Sequence, residues 1–387
     1  MAMDAEMEPR VFLFQADGLV KTRRAIFLGD EKLQTADDRL LQEADRVQET
    51  GPFTVTEKEK APPSGDKHDY TSMGPYWWPD PKEPDGMPYV RRDGEVNPES
   101  RKSDRQALAG MCAAVDTLST AYFFSDYESF AERAGLLLRC WFLDEATRMN
   151  PHLEYGQAIP GRCEGRGIGI IDTLQFSRLV DAVGLLGASA EWNAEDQEGL
   201  EIWFGKYLDW LLESDKGRDE GRQANNHGTW YDVQVISLAL FVGREEVARR
   251  VLMESVLGRV ASQIEPDGRQ PFELKRTRSL DYSIMNLIGF FDLADLGRHC
   301  GLDLWGFEAE NGSSIKIAFY WLIVNALGKN EWEYQQISEF EQGKLIPLLR
   351  RGGIRFGDPS CEERLRELEG VDLEGDRSQL LYPGPRV

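Results

Sequence analysis

Histidine and cysteine are scarce in this sequence. It has four histidines and five cysteines among 387 residues. The cysteines are far apart and form no CxxC pair, and the histidines stand singly without the spacing of a zinc site. The pattern therefore predicts no metal site, no bound cofactor and no required disulfide.

Positive charge and long apolar runs are also in short supply. Lys and Arg number 45 against 67 Asp and Glu, which gives a net charge of −22. Because a phosphate backbone needs a concentrated basic face, nucleic acid is excluded as a partner. No apolar run approaches the roughly 18 residues of a membrane span, so no membrane partner is expected.

The first residues, "MAMDAEMEPRVFLF", lack the charged and apolar regions of a secretory signal. From these residues we expect either a cytoplasmic protein or one whose signal has been removed. The oligomeric state is left open.

Alternation of period two, the mark of half-buried strands, is nearly missing. After Asn97, apolar residues recur at i, i+3, i+4 and i+7 in successive segments such as "DRQALAGMCAAVDTLSTAYFF" and "QEGLEIWFGKYLDWLLES". Helices joined by short breaks pack as antiparallel hairpins, and no fixed-length repeat appears. We predict an all-α chain in which residues 1–387 form one α/α toroid, an incomplete α/α barrel, with an irregular C-terminal tail over about 352–387.

The segment from about 62 to 98 departs from this helical texture. It is dense in Pro, Gly and aromatics, which excludes a regular helix. Its aromatic residues argue against disorder, and long ordered loops in compact domains are usually functional. We predict a lid loop that covers the mouth of the toroid.

The stretch "NNHGTWYDV" carries one candidate half of a site. Thr229 is expected to cap the helix that follows, which places His227 near the positive end of a helix dipole, where a neutral imidazole able to accept a proton is favoured. The amides of Asn225 and Asn226 are good donors to a carboxylate. The alternative is a buried structural histidine.

The stretch "ELKRTRSLDYS" carries the other half. Lys275, Arg276 and Arg278 form a dense positive site before a helix expected to begin near Ser279. A guanidinium binds a carboxylate in two-pronged fashion. Tyr282 follows Arg278 by four residues, and a tyrosine among cations is expected to have a lowered phenol pKa, which suits proton transfer. The alternative is a core tyrosine beside a solvated basic turn.

Amides, an imidazole, a guanidinium and a phenol together fit abstraction of a proton α to a carboxylate. In a uronic acid this proton is on C5, and loss of the 4-linked sugar completes a β-elimination. Glycoside hydrolysis would instead require two positioned carboxylates. Asp69, Asp80, Asp232 and Glu273 are candidates for that role but form no obvious pair. The alternatives are thus a toroid glycoside hydrolase on uronic-acid oligosaccharides and a non-catalytic glycan-binding protein.

At these residues the sequence resembles the alginate lyase family of α/α-toroid polysaccharide lyases, and within it polysaccharide lyase family 38. The matching segments span about residues 70–287. They are "DYTSMGPYWWPDP" with "PDGMPYVRRDGEVNPE", then "YGQAIPGRCEGRGIGIIDT", "NNHGTWYDVQ" and "PDGRQPFELKRTRSLDYSIMNL". The resemblance implies a lyase that cleaves β-1,4-linked uronans, mannuronate-rich alginate or glucuronan, and leaves a 4,5-unsaturated uronate end. It also implies a periplasmic or extracellular location.

The resemblance implies specific site residues. Asn226, His227, Arg276 and Tyr282 are the catalytic candidates. Typical members have the arginine seven residues before the tyrosine, where this chain has Lys275, so Arg276 is the first choice and Arg278 the second. The residues expected to bind substrate are Asn225, Lys275, Arg278, Tyr76, Trp77, Trp78, Arg91, Arg92, Gln157, Arg166 and Tyr231.

Stereochemistry restricts the mechanism. In mannuronate and glucuronate the C5 proton and O4 lie on the same side, so one residue can take the proton and return it to the leaving oxygen. Either Tyr282 does both while His227 holds the carboxylate, or His227 is the base and Tyr282 the acid.

Overall fold

The computed structural model describes residues 8–328 and 331–383, so the ends of the predicted single domain and residues 329–330 lie outside the described part. Helices dominate, as the periodicity predicts. In chain order they are α1 Ala16–Phe27, α2 Glu31–Val47, α3 Asp104–Ser125, α4 Glu128–Leu138, α5 Phe176–Leu185, α6 Ala194–Glu213, α7 Asp215–Gly221, α8 Asn226–Phe241, α9 Glu245–Val251, α10 Leu257–Gln263, α11 Pro271–Leu274, α12 Ser279–His299, α13 Ile315–Ala326, α14 Ile346–Phe356, α15 Ser360–Arg366 and α16 Ser378–Leu381.

Short irregular turns supplement these helices. The 3₁₀ segments are Pro98–Lys102, Gly167–Thr173 and Gln342–Leu345, and the π turns are Arg139–Leu143 and Leu252–Val256. The π turn Arg139–Leu143 ends the helix that α4 begins, whereas Leu252–Val256 joins α9 to α10 without a break.

Helix α8 is the centre of the architecture. Every one of its residues except His227 is buried, and it packs against α5, α6, α9 and α12. A helix that is buried on every side belongs to the core. The contacts between α8 and α12 include a hydrogen bond from Trp230 Nε1 to Met285 O at 3.2 Å. This packing brings the first turn of α8 close to the first turns of α12.

Helix α3 is long and apolar enough to pass a composition test for a membrane span, but 72% of its apolar window is buried inside the protein. Burial of this kind is expected of a core helix.

The lid, predicted as a loop, is a braced hairpin. Its strands are β1 Thr71–Met73, β2 Trp77–Trp78 and β3 Val90–Arg91, and β2 pairs antiparallel with β3. Strand β1 pairs in parallel with β4, Tyr155–Ala158, next to the cleft. The lid is therefore fixed at its base to the toroid.

The prediction of an irregular tail over about 352–387 is wrong within the described residues. Helix α14 continues to Phe356, and α15 and α16 follow. Arg377 binds Glu43 at 2.7 Å and Asp116 at 3.2 Å, and Leu365, in α15, is buried in the core. The segment therefore contains helices that pack on the rest of the protein, with α15 against α14 and α16 against α2. Residues 384–387 lie outside the described part.

Candidate active site

A cavity of about 410 Å³ lies between the lid, the first turn of α8 and the start of α12. Most of the residues that sequence singled out line it. They are Tyr76, Trp77, Arg91, Gln157, Arg166, Asn225, Asn226, His227, Arg276, Arg278 and Tyr282. The two sequence stretches with candidate chemistry thus meet at one site.

The first turn of α8 is capped differently from the prediction. Asn225 is the N-cap, and its Oδ1 accepts from the backbone N–H of His227 at 3.3 Å. Thr229, the predicted cap, lies inside the helix, where its hydroxyl donates to Gln263 Oε1 at 2.9 Å. Asparagine is among the strongest N-caps, so the helix begins earlier and includes His227 in its first turn.

A buried glutamate holds Asn226 from behind. The backbone N–H of Asn226 donates to Glu273 Oε1 at 2.8 Å, and its Nδ2 donates to Oε2 at 2.7 Å. Glu273 is 1% exposed, and burial raises its pKa although the bonds from Asn226 oppose this. Asn226 Oδ1 is buried and has no hydrogen-bond partner among the described residues. Asn226 also lines the cavity, and the second N–H of its Nδ2 is the part of the amide that Glu273 does not engage.

A second buried glutamate holds His227. Glu220 Oε1 lies 2.8 Å from His227 Nδ1, and Glu220 is 1% exposed. Burial raises the pKa of Glu220, while the contact with His227 lowers it. Because Nδ1 is engaged, Nε2 is the ring nitrogen left for a ligand in the cavity, and the partner on Nδ1 decides whether Nε2 donates or accepts.

Arg276 is held between a carboxylate and an aromatic ring. Its Nε and Nη2 bind the two oxygens of Asp93 at 3.1 and 2.8 Å, and its Cζ lies 3.7 Å from the centroid of the Tyr282 ring. The Tyr282 hydroxyl lies 2.6 Å from that of Tyr76 on the lid. Tyr282 thus contacts a cation and a second phenol.

The phenol of Tyr282 differs from the expectation of a lowered pKa. Burial raises its pKa well above the ordinary value, Tyr76 adds to the rise, and Arg276 opposes it. Desolvation disfavours the charged phenolate more than one nearby cation favours it. The expectation was wrong because sequence showed the cations but not the depth of the ring.

Four predicted substrate residues do not line the cavity. Lys275 is exposed and lies over the Phe272 ring at 5.8 Å. Trp78 and Arg92 stack on each other at 5.2 Å on the other face of the hairpin. Tyr231 is a core residue whose hydroxyl donates to Leu211 O at 2.8 Å.

The strand geometry explains two of these corrections. Successive residues of a strand point to opposite faces, so Trp77 faces the cavity and Trp78 does not. Helix α8 similarly directs Tyr231 toward α6, away from its first turn.

The segments that form the cavity are also the ones that match known proteins. The alginate lyase family model matches residues 54–332. An alginate lyase of Bacteroides ovatus is 38% identical, with a TM-score of 0.92 over 97% of this chain and 99% of that one. The chain belongs to the alginate lyase family.

More distant structures share the fold. Alginate lyase A1-III of Sphingomonas species A1 is 18% identical, with a TM-score of 0.56 over 89% of this chain and 95% of that one. A variant of A1-III with a histidine replaced by alanine, in complex with a tetrasaccharide, is 19% identical with a TM-score of 0.63 over 95% of each chain. No curated protein sequence matched. The fold is the predicted α/α toroid, and the enzyme is a polysaccharide lyase.

The carboxylates of this alginate lyase family member do not suit hydrolysis. Asp281 lines the cavity, but Lys344 binds it at 2.7 Å and Arg278 lies 3.3 Å from it. Burial alone would raise the pKa of Asp281, yet the bonds from Lys344 and Gln336 hold it below its ordinary value, the opposite of a general acid. Of the described residues, the four carboxylates that sequence offered for hydrolysis all lie outside the cavity lining.

One cation of the lyase site and the carboxylate behind it are not among the residues predicted from the sequence. Arg105 on α3 lines the cavity, and its Nε lies 3.4 Å from buried Asp172. The same carboxylate accepts from Gln157 Nε2 at 2.9 Å, and Gln157 Oε1 accepts from Arg166 Nη2 at 2.8 Å. Gln157 has a positive φ of 49°, a conformation that non-glycine residues adopt at a cost. This relay fixes Arg166 beside Trp77.

Two supporting carboxylates were also absent from the predicted residues: Glu220, which is buried, and Asp93, which is partly exposed. No motif marks them, since each is a single acidic residue in an acidic chain. Within residues 8–328 and 331–383, no group of three or more His, Cys, Asp or Glu is arranged to hold a metal ion.

Proposed function

We propose that this polysaccharide lyase cleaves mannuronate- or glucuronate-containing β-1,4 uronans by syn β-elimination, with Tyr282 as the proton carrier. The observation that carries the proposal is the meeting of the Tyr282 hydroxyl, the Arg276 guanidinium and His227 at one cavity. Placement in polysaccharide lyase family 38 belongs to the same proposal. The departure in spacing, with Lys275 where typical members have the arginine, sets the chain apart from those members.

The charge of the cavity supports an anionic polymer. Arg91, Arg105, Arg166, Arg276 and Arg278 all line it. Arg166 has no salt bridge among the described residues, and burial lowers its pKa. A partly buried guanidinium without a carboxylate partner is well suited to take the carboxylate of a uronate residue.

In this proposal Asn226 and His227 hold the carboxylate of the reacting sugar. Both lie in the first turn of α8, where the helix dipole favours negative charge. The A1-III complexes with a tetrasaccharide carry a changed histidine in one case and a changed tyrosine in the other. The same two residue types face the cavity here, which supports assigning them to substrate.

One residue, Tyr282, then carries the proton in both steps. The Tyr282 phenolate takes the C5 proton, the C4–O4 bond breaks as the C4–C5 double bond forms, and the phenol returns the proton to O4. Arg276 stabilises both the phenolate and the charge that develops on the carboxylate. Tyr282 ends as a phenolate, ready for the next turnover.

The raised pKa of Tyr282 makes this route testable by pH. Because the free enzyme must lose a proton from a phenol with a raised pKa, kcat/KM on poly-mannuronate should keep rising between about pH 7 and 9. The ultraviolet absorbance of the unsaturated product gives the rate. A plateau already reached near neutral pH would assign the base to His227 instead.

The substrate assignment has its own test. Defined poly-mannuronate, poly-guluronate and glucuronan are each incubated with the enzyme, and the unsaturated ends are counted. We expect product from at least one of the two polymers with syn geometry, at a higher rate than from poly-guluronate. A preference for poly-guluronate, which needs anti elimination, would refute the single-residue route.

A further inference from the structure

Asp93 on the lid has an unusually complete set of partners. Besides the two bonds from Arg276, its Oδ2 accepts from the backbone N–H of Thr277 at 3.3 Å and from the Thr277 hydroxyl at 3.2 Å. Arg91 Nη2 donates to Oδ1 at 2.6 Å. The Thr277 hydroxyl also contacts Asp93 O at 2.9 Å. One lid residue thus binds two consecutive residues beside the catalytic candidates.

This ion pair is unlike an ordinary surface pair. The side chains of Arg276 and Asp93 are 14% and 22% exposed, and the guanidinium uses two nitrogens on two oxygens. Burial alone would raise the pKa of Asp93, but Arg276, Thr277 and Arg91 hold it well below its ordinary range. Two-pronged geometry fixes the plane of the guanidinium as well as its position.

The fixed plane has a consequence at Tyr282. With its Nε and Nη2 edge committed to Asp93, Arg276 lies with Cζ 3.7 Å from the centroid of the tyrosine ring. Among the described residues no hydrogen bond engages Nη1 of Arg276. That nitrogen is the part of the guanidinium left for substrate.

The lid brings this contact and a second one together. Asp93 follows β3, whose partner strand β2 begins one residue after Tyr76, and the Tyr76 hydroxyl lies 2.6 Å from that of Tyr282. Gly94, with φ of +79°, packs against Thr277 and Ile337, where a side chain would collide. Docking of one hairpin therefore sets both neighbours of Tyr282.

We propose that Asp93 is a positioning residue that orients Arg276 against Tyr282 when the lid is docked, leaving Nη1 of Arg276 for the substrate carboxylate. The inference rests on the proposed roles of Arg276 and Tyr282. It assigns Asp93 no contact with substrate.

The test is a double-mutant cycle on kcat and KM with the substrate that the wild-type enzyme cleaves. Asp93→Asn keeps the size of the side chain and removes its charge. We expect kcat to fall on the order of 10²-fold, as when a catalytic group is misplaced by about 1 Å, with KM changed less than about 3-fold. Combined with Arg276→Gln, it should lower kcat less than about 3-fold further, because groups that act as a unit are not additive.

Thr277→Val is the matched control. It removes the contacts of the Thr277 hydroxyl with Asp93 on the lid and leaves the Arg276 pair in place, so we expect kcat within about 5-fold of wild type. Thermal unfolding of each variant reports folding. If Asp93→Asn does not fold, Asp93→Glu, which keeps the charge but displaces it, replaces it in the cycle with the same expected coupling.

Three results would overturn the inference: an unchanged kcat for Asp93→Asn, multiplicative losses in the double variant, or a Thr277→Val loss as large as that of Asp93→Asn. The last would make Asp93 a lid anchor only. Full activity of Arg276→Gln would instead refute the proposed role of Arg276, and a wild-type enzyme inactive on every uronan would refute the substrate assignment.

Discussion

The two walls of the cleft are built in different ways. On the α8 wall, Asn226 and His227 are held from behind by Glu273 and Glu220, each 1% exposed. On the lid wall, Arg276 is bound by Asp93 of the lid hairpin, and the side chain of Asp93 is 22% exposed. One wall is part of the core, and the other is completed by a hairpin that docks on it.

Substitutions on the two walls should therefore affect different properties of the enzyme. Removing one partner of a buried pair leaves the other uncompensated, so changes on the α8 wall should lower both activity and stability. Changes on the lid wall should lower activity with little effect on unfolding, because partly exposed pairs contribute little to stability.

The largest loss of activity is expected at Tyr282, which lies between the two walls. Tyr282→Phe removes the proton carrier but keeps the ring under Arg276, so we expect kcat to fall on the order of 10³-fold with little change in KM. Initial rates of unsaturated product formation measure it. Tyr231→Phe is the control, because it removes a tyrosine hydroxyl bonded to Leu211 O in the core. It should lose about 1 kcal/mol of stability and keep its activity. Equal losses of activity in both variants would contradict the assignment.

The next effect tests the α8 wall. Glu220→Gln removes the ionisable partner of His227 Nδ1 and keeps a group that can hydrogen-bond. We expect kcat/KM to fall roughly 10- to 100-fold, the range for outer groups that orient a metal-bound imidazole. In the His227→Ala background, Glu220→Gln should lower kcat/KM by less than a further factor of about 2, because Glu220 acts through His227. Full additivity would show that Glu220 acts elsewhere, and an unchanged unfolding temperature would remove the contrast between the walls.

A smaller effect tests the cation without a carboxylate partner. Arg166→Gln should lower kcat/KM about 10-fold, mainly through KM, since a hydrogen bond to a charged group contributes roughly 1.5 kcal/mol. Lys275→Gln is the matched control: Lys275 is a nearby cation that lies outside the cavity lining, and its loss should change kcat/KM less than 2-fold. If the two variants lose activity equally, substrate is bound by the overall positive charge of the region and not by the Arg166 guanidinium in particular.

The features that could be predicted from the sequence are those that depend on short stretches of neighbouring residues. The start of α12 at Ser279, the all-α texture and the meeting of "NNH" with "KRTRSLDY" follow from periodicity, breakers and a specific combination of residue types. The opposite orientations of Trp77 and Trp78 also have a local cause, because adjacent residues of a strand point to opposite faces. They could be predicted only if the lid was recognised as a hairpin instead of a loop.

The supports of the site could not be predicted in this way. Glu220, Asp93 and Arg105 are single charged residues in segments that look solvated. Their roles arise only when distant segments pack around them, such as the lid against the start of α12. The raised pKa of Tyr282 has the same origin, because burial depends on the tertiary structure and charge does not reveal it.

The smallest effect concerns a buried carboxyl outside the site. Asp37 on α2 is buried, and its Oδ1 has no hydrogen-bond partner among the described residues. Burial, and to a lesser degree Asp38, raise the pKa of Asp37 to about 6. Between about pH 4 and 6 the folded state therefore keeps a proton that the unfolded state has released, so this group lowers stability as pH rises through that window.

Asp37→Asn removes this titration without changing the size of the side chain. It should be more stable than wild type by about 1 to 2 kcal/mol above pH 6, allowing for solvent screening, and similar to wild type near pH 4. Urea unfolding at both pH values measures the difference, with exposed Asp38→Asn as the control and lyase activity expected to stay constant. If the stability gain were the same at both pH values, the carboxyl would not be titrating. If activity fell, Asp37 would have to be grouped with Glu220 and Glu273 as a carboxyl that serves the cleft.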